Sequence, residues 1–190
     1  MTPPRMPPIP LECLTASQRA VYDRIASGPR RQIGAPHWAW LRSPVLADKA
    51  QELGRFCRFE TTVEPRLIEI AILTTAAHWQ AALEWDLHES EALRMGLDAT
   101  TIEAIRQQNG PRFETPAEQA VYRFTLQLWH ERRTSADNYA GLVHAIGEQG
   151  AVELVGILGY YALISMTIVA FEVASHIREG DVFADLREAR

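Results

Sequence analysis

Three ionisable residues in the stretch 64–97, EPRLIEIAILTTAAHWQAALEWDLHESEALRMGL, have the types and the spacing for proton-transfer chemistry. Glu69 is the one polar residue between Leu67 and Leu73, and Glu84 and His88 follow four residues apart, one helical turn from each other. A carboxylate in a run that is apolar all round is buried. There it must find a hydrogen-bond or charged partner or take up a proton, and Arg66 and His88 are the partners on offer. Two carboxylates and one imidazole on facing helices would form a general acid/base unit, since an imidazole titrates near neutrality. A purely structural carboxylate tied to Arg66 or to a helix end is the rival reading for Glu69. An exposed i, i+4 pair is the rival for Glu84 and His88.

These residues require two helices. No Gly or Pro lies between Arg66 and Met95, but thirty uninterrupted residues exceed the usual globular helix, so a bend is expected near Trp79 and Gln80. On the second helix Ala81, Glu84, Trp85 and His88 fall on one stripe, while Asp86, Glu89 and Glu91 point elsewhere.

The pattern PR-x-x-E, an apolar run, A-x-x-E-W-x-x-H and then A-L-R-M-G-L resembles the carboxymuconolactone decarboxylase family, which includes the alkylhydroperoxidase D-like proteins. The resemblance is specific over Pro65 to Leu97 and weaker from Arg42 and through Ala151 to Val173. It implies an all-α, alkylhydroperoxidase D-like helical bundle, assembled as a homo-oligomer (trimer or hexamer) and working without metal or other cofactor. In the redox branch the glutamate is followed twelve residues later by C-x-x-C, with a histidine four residues after the second cysteine. Glu69 and His88 match the glutamate and the histidine, whereas Ala81 and Glu84 occupy the two cysteine positions. Dithiol peroxidase chemistry therefore cannot run at this site. What remains resembles the decarboxylase-type and uncharacterised branches of the family; Glu69, Glu84 and His88 are the expected catalytic residues, with Arg66 and Trp85 as substrate-binding candidates. The substrate implied is a small carboxylated, lactone-type molecule. The alternatives are a non-catalytic helical oligomer that binds a small ligand, and a residual redox role for Cys13 and Cys57. A carboxylate-histidine metal site built from Glu84, His88 and Glu69 lacks a second histidine at ligand spacing.

The chain has 190 residues and a formal net charge of −5, which suits one domain and argues against nucleic acid as a partner. Arg30 with Arg31, and Arg132 with Arg133, read as solvated surface charge. Cys13 and Cys57 have neither metal-like nor redox-like spacing, which with the lack of a secretory pattern suits the cytoplasm. The proline-rich residues 1–12 form an extended arm, and 13–190 a single helical domain. Helices are expected from Thr15 to about Ile25, from Pro44 to Phe59 with Leu46, Leu53 and Phe56 on its apolar face, from Thr115 to Glu131, and from Ser135 to Ile146. Residues 30–40 read as a loop pinned by its tryptophans. Between Glu153 and Glu172 eighteen residues carry no charge, the length at which a membrane span must be weighed. Gly156, Gly159, Ser165, Thr167 and two tyrosines, with no basic flank on the N-terminal side, favour a buried helix over 151–177, sealed against another subunit.

Overall fold

The computed structural model describes residues 5–29, 31 and 33–188, so part of the expected arm (Met1–Pro4) and the solvated charge of Arg30 lie outside the described residues. Among the described residues every regular element is helical. After a 3-10 turn at Leu11–Cys13 come α1 (Ala16–Ser27), α2 (Ala35–Trp40), α3 (Pro44–Phe59), α4 (Pro65–Trp79), α5 (Ala82–Arg94), α6 (Ala99–Arg106), α7 (Pro116–Glu131), α8 (Ala136–Ala170) and α9 (Ala184–Glu188).

The helix starts follow local chemistry. Thr15 and Thr115 each form a capping box, with Gln18 and Glu118, and Asp98 and Ser135 cap α6 and α8. Proline in the first turn of α2, α3, α4 and α7 occupies the position where a missing N–H costs nothing.

The bundle is built around α4, which packs on α5, α6, α7 and α8. Every residue from Leu67 to Ala77 is buried, as a helix without a polar face requires. The expected bend is present: Gln80 takes the left-handed conformation (φ 51°), closes α4 by donating its N–H to Ala77, and lets α5 start at Ala82.

Three expectations are corrected. Residues 35–40 are helical, because Gly34 and Pro36 start a turn that the aromatic residues obscured, and Trp40 is buried with its indole N–H donating to Thr167. In α3 the buried residues are Ala47, Ala50, Gly54 and Cys57, while Leu46 and Leu53 are exposed. This helix lies against α1, α2 and α8 through its small side chains. Finally, α8 ends at Ala170 and not near Ile177: Glu172 has φ 51°, and Arg5 donates from its backbone to Phe171 O (3.0 Å) and from its side chain to Ala170 O (3.0 Å).

Earlier in α8 the break falls on Gly147, at φ 74° and ψ 171°, after which the helix resumes. By length and composition α8 could cross a membrane, but 56% of its most apolar window is buried inside the bundle. The segment after α8 folds back over α5. Phe183 is fully buried against Trp85 (ring centroids 5.6 Å), and Arg178 and Ser175 both reach the buried Asp86, the Arg178 Nε at 2.5 Å.

Candidate functional site

Glu69 comes from the second turn of α4, and Glu84 and His88 from the first two turns of α5. The tight turn at Gln80 lays α5 back along α4, so the three side chains meet. His88 Nδ1 lies 2.6 Å from Glu69 Oε2, and His88 Nε2 lies 3.1 Å from Glu84 Oε1. All three residues are at least 95% buried. The Tyr161 ring stands edge-on to the imidazole, with centroids 5.2 Å apart.

The charge state follows from this packing. Burial works against an imidazolium, but the carboxylates of Glu69 and Glu84 hydrogen-bond to both ring nitrogens and outweigh it, pushing the His88 pKa up to about 9. At neutral pH both ring nitrogens therefore carry a proton, and each donates to a carboxylate. Burial pushes the Tyr161 phenol far up as well, so it remains a neutral hydroxyl.

A cavity of about 330 Å³ opens beside the cluster, with Glu84 and His88 in its wall together with His37, Arg58, Glu91 and Tyr161. Glu69 is not in the lining and sits behind the imidazole. The three residues thus form a chain from the core to the cavity wall, Glu69 to His88 to Glu84. A larger cavity of about 930 Å³ lies between the end of α8, Gln80 and the segment 172–187, but none of the three lines it. We take the smaller one as the candidate site because the ionisable cluster faces it.

Two sequence candidates lie elsewhere. Arg66 bonds to Glu118, to Glu114 Oε2 (3.0 Å) and to Met95 O (3.1 Å), and it neither lines the cavity nor touches Glu69. Its partner Glu118 is the buried residue of the α7 capping box. Burial opposes its charge, yet Arg66 and the Thr115 backbone hold its carboxyl below the ordinary range. The i to i+3 proximity suggested an Arg66–Glu69 pair, but Arg66 is taken up by α7 and the end of α5, and Glu69 by His88. Trp85 is fully buried against Phe183 and also absent from the lining, so it belongs to the core.

Arg58 was the residue the sequence concealed. It lies on α3, with its guanidinium 3.9 Å from Glu69 Oε1 and 3.9 Å from Glu91 Oε2. Burial lowers the stability of its charge, but Tyr161, Glu69 and Glu84 around it raise its pKa above the ordinary arginine value. Its position one turn beyond Gly54, at the edge of the small-residue stripe of α3, was the available signal. His37 likewise reaches the cavity only because α2 is a helix.

Neither thiol is at the site: Cys13 is exposed on the 3-10 turn, and Cys57 is buried outside the cavity lining. Among the described residues no group of three or more His, Cys, Asp and Glu side chains is placed to hold a metal ion.

No protein-family model and no curated protein matches the chain by sequence. Solved structures do match it by fold. A debrominase, Bmp8, in a cysteine-to-alanine form bound to 2,3,4-tribromopyrrole, superimposes with a TM-score of 0.70 at 14% identity, over 97% of each chain. A protein of unknown function from Agrobacterium tumefaciens, described in terms of the antioxidant defence protein AhpD, gives 0.64 at 18% identity over 73% of this chain and 96% of that one. A peroxidase-related protein from Silicibacter sp. TM1040 gives 0.70 at 8% identity, over 89% and 88%. The chain has the alkylhydroperoxidase D-like fold, a scaffold that in the debrominase carries an enzyme.

Proposed function

We propose that the protein is an enzyme of the carboxymuconolactone decarboxylase type, which moves a proton onto or off a small carboxylated, lactone-type molecule held in the 330 Å³ cavity. The observation that carries this reading is the chain Glu69–His88–Glu84, buried at one end and lining the cavity at the other. Because both imidazole nitrogens are engaged, Glu84 and not His88 is the group that meets the substrate. His88 recharges Glu84 through Nε2, and Glu69 holds the imidazolium from behind.

In decarboxylation the bond between the reacting carbon and its carboxylate breaks and CO2 departs, leaving the electron pair on the carbon. His88 passes its Nε2 proton to Glu84, Glu84 delivers that proton to the carbon, and a proton from solvent restores the imidazolium. The dithiol route is absent from the reading, as Ala81 and Glu84 stand in the two thiol positions.

The same geometry favours one other reading. A protonated histidine bonded to two carboxylates also serves as a static brace between α4 and α5 in a protein that only binds its ligand. Measurement of CO2 release from a panel of small γ-lactone carboxylates separates the two. The enzyme reading expects turnover that falls about a hundredfold or more in Glu84→Gln, with an unchanged circular dichroism spectrum, and that persists in the Cys13→Ser, Cys57→Ser variant. No turnover across the panel, or equal turnover in Glu84→Gln, would leave the brace.

A further inference from the structure

The Arg58 guanidinium is charged, lines the cavity beside Glu84 and His88, and is bonded closely to neither of the carboxylates near it. At 3.9 Å both contacts lie beyond hydrogen-bond range, so the planar donor fork of the arginine is not committed to either acid. The two carboxylates also have better partners. Glu69 is bonded to His88 at 2.6 Å, and Glu91 is bonded closely to Arg94 one turn along α5.

Building on the acid/base reading above, we propose that Arg58 is the specificity-determining residue of the site, receiving through its guanidinium a carboxylate of the substrate that the reaction leaves in place.

Several features support that assignment. A carboxylate and a guanidinium match as two parallel charge-assisted hydrogen bonds, and a half-buried cavity wall strengthens them relative to water. Entry of such an anion competes with the long contacts to Glu91 and Glu69 and with the Tyr161 hydroxyl, and Glu91 keeps Arg94. The held carboxylate must be the one that survives, because contact with a cation stabilises it as an anion and slows its own loss as CO2. With Arg58 on α3 and Glu84 on α5, the anchor and the proton donor come from different helices, and a small cavity then fixes which carbon faces Glu84. A cavity of about 330 Å³ suits a small organic acid.

Binding of furan-2-carboxylate and of its neutral isostere furan-2-carboxamide, measured by calorimetry at pH 7.5 on the full chain, tests this. The wild type is expected to bind the carboxylate about tenfold or more tighter than the amide. In Arg58→Gln that ratio falls to about one, with amide affinity unchanged within about threefold. Glu91→Gln, which removes the competing anion, raises carboxylate affinity and leaves amide affinity alone. Should Arg58→Gln fail to fold, Glu91→Gln decides the matter. A wild type with no carboxylate preference, a preference that survives Arg58→Gln, or no gain in Glu91→Gln would each overturn the assignment. Glu84→Gln separates it from the catalytic reading: it retains the carboxylate preference while abolishing turnover, so either claim can fail without the other.

Discussion

His88 is where charge, burial and chemistry meet. Its folded-state pKa of about 9 lies above the ordinary 6.5, so the stability it contributes is complete below about pH 6.5 and is lost as pH rises through 9. Across that window a contribution on the order of 3 kcal/mol is lost. Urea denaturation across this window is expected to show falling stability, and imidazole NMR to show a doubly protonated ring at pH 7.5. In Glu69→Gln the ring should titrate lower and the slope should flatten; a His88 already neutral at pH 7.5 would contradict the charge assignment. Substitution of His88 by alanine is a poor probe, because it leaves Glu69 and Glu84 buried without their cation and risks the fold itself. That Glu69 needs a polar partner was legible in the sequence, because an isolated glutamate in an apolar helix has to be answered nearby; that His88 and not Arg66 answers it came from the family resemblance. Arg58 was not legible, since nothing in its own helix demands a partner. The same limit makes Arg66 a false candidate: it is close to Glu69 in sequence, but Glu118, Glu114 and the Met95 carbonyl take its guanidinium.

At the scale of elements, α4, α5 and their capping residues were readable because local rules and burial agree there. α3 was not. Large apolar residues on a regular spacing normally mark the core, yet here the close approach of α3 to its neighbours admits only Ala47, Ala50, Gly54 and Cys57. Gly147 offers a clean test of how far a local rule governs α8. Its φ of 74° with ψ of 171° is a region open almost only to glycine, and a Cβ placed there meets nothing within 4 Å. Gly147→Ala is therefore expected to cost about 1–3 kcal/mol through the backbone alone, read as a lower urea midpoint with an unchanged m-value. A neutral result would mean that α8 straightens through the break without loss.

For the whole molecule, the informative surface is the one left bare. Val152, Val155, Met166 and Val169 share one face of α8 at 100° per residue, and all are exposed, Val152 at 74%. Val45, Leu46, Leu53 and Phe59 of α3 are exposed as well. So much apolar surface is unusual on a monomer, and we propose that copies of the chain cover it for one another. Light scattering is expected to return a multiple of 21.4 kDa, and Val155→Asp with Met166→Glu to shift it toward the monomer. A wild-type monomer at micromolar concentration would end the proposal.

The clasp between α5 and the segment beyond α8 has a consequence for the last nineteen residues, which look dispensable from their polar composition. Asp86 is fully buried two residues from Glu84, and its charge is met by Arg178, while Phe183 closes over Trp85. A chain ending at Phe171 would keep the Glu69–His88–Glu84 cluster intact on paper. It would also strand a negative charge inside the bundle and uncover an indole, at about 3–5 kcal/mol for the charge alone. Removal of the tail is therefore expected to lower the melting temperature and, on the proposed function, turnover with it, although no residue of the candidate site has been touched.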